Sequence, residues 1–332
     1  MKPINTQKNK QKRGRKFMHI ALIILCIIVG LNILGFIINK TFFRNELESI
    51  QPYGQLVDVN GGKMHVYSMG SGEKTIVLLP GFGVSLPSAD FGPLMRKLSE
   101  SYTVVTIEYF GIGFSDKTDK PRTNENYMNE IRTALAHAGF NPPYILMPHS
   151  ASGVYSEYYA IQHPEEVSSI IMLDTTSTAV TGENPGYMGL LYSVGKIQQA
   201  TGFTRIVTGL VPDTKLVENG YTEKEIADYK MFTYHVLNDT LIDQSLLLIE
   251  NINEVNGMVF PEDIPVLKII SKQSIEVMAK KDKDDGMGYQ NRHLSMLGNK
   301  VAHAVVDSTH FVYQTHFDQI VEMTDAFLDQ NK

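Results

Sequence analysis

The chain has 332 residues, of which 43% are hydrophobic and 20% charged. That ordinary globular mixture excludes collagen-like, mucin-like and wholly disordered chains, and the length suffices for one large domain or two smaller ones around a sizeable core. One cysteine, Cys26, excludes an internal disulfide and any cysteine-built zinc or iron–sulfur site. The net charge of −6 is unevenly spread. Residues 1–40 hold eight Lys/Arg and no Asp/Glu, so residues 41–332 hold 22 basic against 36 acidic side chains, a balance of −14. A body this acidic grips a phosphate backbone poorly, and no nucleic-acid partner is expected.

The chain opens with a basic lead (Lys8, Lys10, Lys12, Arg13, Arg15 and Lys16) and continues through residues 17–38 without Asp, Glu, Lys or Arg. A helix over those 22 residues spans about 33 Å, enough to cross a hydrocarbon core of roughly 30 Å. The run is longer than the apolar region of a cleaved signal peptide, and Ile37-Ile38-Asn39-Lys40 is not a small-x-small cleavage site. The expectation is an uncleaved, single-pass anchor in the cell membrane. Residues 1–16 form a cytoplasmic tail, residues 39–51 a linker, and the body is extracytoplasmic by the positive-inside rule. Cys26 is read as a small lipid-facing residue.

Beyond the linker, strands alternate with helices. Residues 55–59 and 63–68 flank the turn Asn60-Gly61-Gly62 as a hairpin. Apolar runs at 75–79, 103–107, 144–147, 169–173, 266–270 and 301–306 read as strands. Residues 94–99, 127–138, 154–162 and 317–328 have helical spacing. This order predicts a mostly parallel central sheet with helices on both faces, formed by 52–174 and 264–332. Residues 175–263 have helical periodicity and little strand signal. They predict a helical cap over the carboxyl ends of the strands, where open sheets bind ligands. Thr222-Glu223-Lys224-Glu225 is a capping-box pattern that starts one cap helix. Met188, Leu190, Leu191, Tyr192, Met231, Phe232 and Tyr234 read as cap core, with pocket lining as the other reading. Asp282, Asp284 and Asp285 read as a solvated charge run.

In Tyr144-Ile-Leu-Met-Pro-His-Ser150-Ala-Ser-Gly-Val-Tyr-Ser a hydrophobic strand runs through a serine directly into a helix. Alone, such a serine is an ordinary helix N-cap. It is accompanied by Leu78-Leu-Pro-Gly81-Phe82-Gly83, by Glu108-Tyr-Phe-Gly111-Ile-Gly113-Phe-Ser115-Asp116, and by Asp307-Ser-Thr-His310-Phe311 between the last strand and the last helix. In this order, over roughly residues 52–330, the segments resemble the α/β-hydrolase fold family. The resemblance implies that Ser150 is a nucleophile on a strained elbow and His310 its base. It also implies that the backbone N–H groups of Phe82 and Ala151 form an oxyanion hole, and that the Glu108 turn is scaffolding. His149 is implied to be a packing neighbour. The sequence departs from the family in five places, one of them Glu108, which replaces an aspartate. Pro148 and Ser152 replace glycines, Pro80 replaces a histidine, and the usual acid position near Ser274 lacks a carboxylate. Glu276, two residues on, and Asp174, at the end of the preceding strand, both remain open as the acid.

The expected function is a membrane-anchored serine hydrolase. It would cleave a small ester or other acyl substrate through an acyl-enzyme, with no cofactor and no metal; the oligomeric state is left open. Two alternatives stay open. A proline-iminopeptidase-like aminopeptidase would need acidic cap residues for the substrate amine, and Glu223, Glu225 and Asp228 read as a solvated helical turn. A degenerate, non-catalytic binding module would account for Pro80, Pro148 and the missing acid.

Overall fold

The computed structural model describes residues 4–282 and 286–331, with side chains from Lys16 onward except that of Asp282. Asp284 and Asp285 of the expected charge run therefore lie outside the described residues, as do the side chains of the basic lead before Lys16.

Helix α1 (Ile4–Phe42) is continuous for 39 residues, about 58 Å, so the helix extends back through the basic lead. Its apolar stretch is solvent-exposed along nearly its whole length, and it is long and apolar enough to cross a membrane. Eight strands follow: β1 (Gln55–Val59), β2 (Gly62–Met69), β3 (Thr75–Leu79), β4 (Thr103–Glu108), β5 (Tyr144–Pro148), β6 (Val167–Leu173), β7 (Val266–Ser271) and β8 (Val301–Val306). They form one sheet in the order β1-β2-β4-β3-β5-β6-β7-β8. The pairs β1/β2 and β2/β4 are antiparallel, and every other pair is parallel. Central strands β5 and β7 are buried at every residue, as a parallel sheet covered on both faces requires.

The two faces carry separate apolar clusters. One is packed by α4 (Asn124–His137), α5 (Ser152–Gln162) and α10 (Asp239–Asn256). The other is packed by α3 (Gly92–Leu98) and α14 (Phe317–Gln330), with the short α2 (Pro87–Asp90) leading into α3. Side chains close the helix ends: Thr123 caps α4 by accepting the Asn126 N–H, and Asn238 caps α10 at Leu241. Glu108, at the end of β4, is fully buried and works as scaffolding. Its carboxylate accepts from the Ser88 hydroxyl at 2.7 Å and the Phe114 N–H at 2.6 Å. A Cβ on Gly113, which has φ +55°, would collide with that carboxylate, so the turn requires glycine.

Between β6 and β7 every regular element is a helix: α6 (Met188–Ala200), α7 (Phe203–Gly209), α8 (Thr214–Glu218), α9 (Glu223–Thr233) and α10. The Thr222 capping box forms at α9. Glu225 and Asp228 are not solvated, however. Both are buried: Glu225 pairs with Arg96 of α3, and Asp228 accepts the Tyr53 hydroxyl at 2.9 Å. They fasten this insertion to the rest of the chain. Phe232 is buried against Ile50, Leu86 and Ala89, but Leu190 and Leu191 are 68% and 54% exposed and belong to no cap core. The sequence also gave no sign of α11 (Lys272–Asp282) and α12 (Met287–Leu294) between β7 and β8; α13 (Val312–Thr315) precedes α14.

Ahead of α4, the Arg122 guanidinium makes a fork-to-fork pair with Glu130, at 2.9 and 2.6 Å, and both side chains are fully buried. Removing one partner strands the other's charge in the interior. Arg122→Met is expected to lower the unfolding free energy of the detergent-solubilised chain by about 3–5 kcal/mol, measured by chemical denaturation.

Candidate active site

Strands β5 and β6 are neighbours, and both end in a residue forced into the left-handed region: Ser150 at φ +52° and Asp174 at φ +46°. Such conformations cost about 1–3 kcal/mol each and persist only where the surroundings over-determine them. Here they do. The Ser150 N–H donates to Leu173 O at 3.2 Å, the Asp174 N–H to Ile269 O at 2.7 Å, and the Thr176 N–H to Ser150 O at 3.0 Å. Pro148 is accommodated by the same pattern. Backbone N–H groups alternate sides along a strand, and the His149 N–H turns to Leu79 of β3 while that of Ser150 turns to β6. The missing donor of Pro148 therefore faces β6, where regular pairing stops at Leu146 and resumes at the His149–Leu173 bridge.

His310, on the loop between β8 and α13, lies between these two strand ends. Its Nε2 is 2.9 Å from Ser150 Oγ and its Nδ1 is 2.6 Å from Asp174 Oδ2. The Asp174 carboxylate is almost wholly buried. It accepts from the Ser271 N–H at 2.8 Å, the Ser271 hydroxyl at 2.7 Å and the Ser274 hydroxyl at 2.6 Å. Burial pushes its pKa up, but the hydrogen bonds from His310, Ser274 and Ser271 outweigh burial and hold it below the ordinary carboxylate value. An ionised acceptor at Nδ1 fixes that nitrogen as the protonated one and leaves Nε2 free to accept the Ser150 proton.

Glu276 is not part of this arrangement. The segment after β7 is a helix rather than an extended loop. Two residues along a helix are about 200° around its axis, so Ser274 turns inward to Asp174 while Glu276 is exposed on the opposite side. Ser274, at the position from which the acid is missing, donates to the carboxylate supplied by the neighbouring strand.

The loop after β3 packs against Ser150. A Cβ on Gly81 would lie 2.6 Å from His149 Nδ1 and 2.8 Å from Ser150 Cβ, so only glycine allows this approach. Ser152, where a glycine was expected, donates to the carbonyl of Pro80 and accepts the Tyr109 hydroxyl at 2.9 Å; it holds the loop in place. The Phe82 amide follows Gly81 on this loop and the Ala151 amide follows Ser150, and neither donates to another backbone group among the described residues. Buried His149 packs 4.7 Å from the His310 ring and donates its Nε2–H to the His310 carbonyl at 3.1 Å. Burial, with the nearby His310, pushes its pKa down to about 3, so it adds no cation beside His310.

One buried group was missed in the sequence. Lys268, mid-strand in β7, is fully buried and donates to His293 Nδ1, whose Nε2–H donates to Glu157 at 2.9 Å; Thr178 donates to the other Glu157 oxygen at 2.6 Å. Burial pushes the ammonium down to about 8 against the pull of Glu157 and Asp174. The only sequence signal was a lysine interrupting Val-Leu-Lys-Ile-Ile.

The strand order, the elbow at Ser150 and the helical insertion after β6 define the α/β-hydrolase fold, and this chain carries it. A family model described as alpha/beta hydrolase fold matches residues 74–216. The uncharacterized protein YbdG of Bacillus subtilis is 26% identical over 321 residues, covering 94% of this chain and 96% of that protein. The 2-(acetamidomethylene)succinate hydrolase of Mesorhizobium japonicum is 32% identical over 125 residues, covering 36% of this chain and less than half (42%) of that enzyme. Epoxide hydrolase I of potato (Solanum tuberosum) superposes with a TM-score of 0.63 at 16% identity, over 83% of this chain and 98% of that one, which is a likeness of fold.

Behind His310, α13 is pinned by Asp90. Its carboxylate accepts the Tyr313 hydroxyl and, at 2.7 Å, the Gln314 amide, and burial pushes its pKa up to about 6. A carboxyl raised from its ordinary value near 3.8 binds a proton in the folded chain that it has lost in the unfolded one, so between pH 4 and 6 its contribution to stability falls as pH rises. The full difference is about 3 kcal/mol. The unfolding free energy of wild type relative to Asp90→Asn is therefore expected to decline from pH 4 to pH 7. Denaturation midpoints of both chains across that range measure it, and a flat difference contradicts the assignment.

Proposed function

We propose that the chain is a membrane-anchored serine hydrolase that cleaves a small ester or other acyl substrate. The single observation that carries this reading is the hydrogen-bonded series Ser150–His310–Asp174, at 2.9 and 2.6 Å, on a strained strand-to-helix turn. Ser150 Oγ attacks the acyl carbon as His310 Nε2 takes its proton. Asp174 holds the imidazole and offsets the charge of the imidazolium. The oxyanion of the tetrahedral intermediate is stabilised by the Phe82 and Ala151 N–H groups. His310 returns the proton to the leaving group. The acyl-enzyme is then cleaved by water, with His310 acting again as base.

In this reading residues 175–263 form the cap over the site, and α1 crosses the cell membrane once with its basic end cytoplasmic and the catalytic body outside. Protease added to intact cells should digest the body and leave the tail; protection of the body reverses the orientation. The aminopeptidase alternative loses ground because Glu225 and Asp228 are committed to Arg96 and Tyr53 rather than free to hold a substrate amine. The non-catalytic alternative loses its main support in the same way. An acid stands at His310, and both prolines are accommodated by the surrounding hydrogen bonds.

A fluorophosphonate probe separates an enzyme from a binding module. Wild type should be labelled at Ser150, and Ser150→Ala should lose both labelling and esterase activity with an unchanged thermal midpoint. Gly81→Ala should impair labelling while leaving the elbow sequence intact. Asp174→Asn is expected to slow acylation by about 10³–10⁴-fold, while Glu276→Gln stays within about tenfold of wild type. The reverse ranking would overturn the assignment of the acid, and full labelling of Ser150→Ala would overturn the mechanism.

A further inference from the structure

The cap helices nearest α1 present an apolar face that none of the described residues of this chain covers. On α6, Leu190, Val194 and Ile197 follow one helical stripe; on α7 and just beyond it, Phe203, Ile206 and Leu210 follow another. All six are between 45% and 78% exposed. An apolar surface of this extent marks an interaction site rather than ordinary scatter. Residues 186–211 also contain Lys196 and Arg205 but no Asp or Glu, in a body that is otherwise strongly acidic.

The position of this face relative to α1 identifies its occupant. The turn joining α6 to α7 packs directly on the exit of the anchor. Asn39 donates to the carbonyls of Gln199 and Ala200, each at 3.3 Å, and a Cβ on Gly35 would run into the Thr201 carbonyl. Gly35 lies three residues inside the end of the 17–38 apolar run, so the turn reaches about 5 Å below the level at which that run ends. That depth is the one at which an amphipathic helix lying in a membrane interface buries its apolar face. The registry is clamped from the other side. Arg205 pairs with Glu46 of the linker, and its guanidinium stacks 4.1 Å from the ring centres of both Phe43 and Tyr234.

We propose that the α6–α7 face of the cap rests in the lipid headgroup layer of the membrane that α1 crosses. This inference rests on the reading of α1 as an anchor. The apolar side chains insert among the upper acyl groups, and the absence of acidic residues removes repulsion from anionic lipids.

The test uses the full chain reconstituted into phosphatidylcholine–phosphatidylglycerol vesicles, with Cys26→Ala as background. Single cysteines are introduced as Ile206→Cys, Leu210→Cys, Ile28→Cys and Val259→Cys and labelled with an environment-sensitive fluorophore. Val259, 84% exposed, lies on the loop leading into the amino-terminal end of β7, away from the cap face. Lipids carrying a nitroxide near the headgroup should quench the labels at 206 and 210 at least twofold and leave 259 unchanged. Deep-chain nitroxides should quench 28. Quenching at 28 with none at 206 and 210 overturns the docking and leaves the anchor standing. No quenching at 28 overturns the anchor itself, and the docking with it. Equal quenching at 259 also overturns the docking, since it means adsorption without a preferred face.

Discussion

The buried carboxylate of Asp174 is the interaction on which the site's geometry depends. A charge removed from water must be compensated within hydrogen-bond distance, and four donors from three separate segments do so: two from Ser271 at the end of β7, one from Ser274 at the start of α11, and one from His310 beyond β8. Each donor is placed by its own element, and the carboxylate draws those elements to one point. The strain at Asp174 is the cost of presenting the carboxylate there, much as the strain at Ser150 is the cost of lifting a hydroxyl above the sheet. The two strained residues sit on adjacent strands, so each backbone helps to fix the other through the Leu173 carbonyl and the Thr176 amide.

A second tier of polar contacts surrounds this point. Ser152 and Tyr109 fix the Pro80 carbonyl, His149 supports the His310 backbone, and Asp90 pins the helix that follows it. Such contacts are what keep a reactive constellation within a few tenths of an ångström of its working geometry. Lys268, His293 and Glu157 lie farther down on the α5 side of β7, compensating one another in an interior that would strand any of them alone.

Most of the fold was legible because buried parallel strands are continuous apolar runs and their helices have a strong 3.6-residue period. Ser150 and His310 were legible because strand-to-helix junctions can be recognised in one dimension. The acid was not. Asp174 and Glu276 both stand near strand ends, and the choice depends on which way a side chain turns once the segment after β7 winds into α11. That helix escaped detection because its sequence is mostly polar and charged. Glu225 and Asp228 were misread for a related reason: a capping box fixes where a helix starts but not which side it presents to the core. Leu190 and Leu191 looked like cap core because periodicity records an apolar face without recording what covers it.

In the proposed triad the acid comes from the end of β6, which has a consequence for how the chain can vary. Ser150 and Asp174 lie 24 positions apart, at the ends of two strands that are hydrogen-bonded neighbours, and the end of β7 and start of α11 contribute the donors Ser271 and Ser274 together with Gln273, which accepts the His310 amide. In that reading the described residues from Ile275 to the start of β8 supply no group of the triad. The exposed, charged side of α11 can therefore change without moving a group of the proposed triad, whereas α12 carries His293, the buried partner of Lys268. That side of α11 offers a surface on which new regulation could be added while the chemistry stays constant.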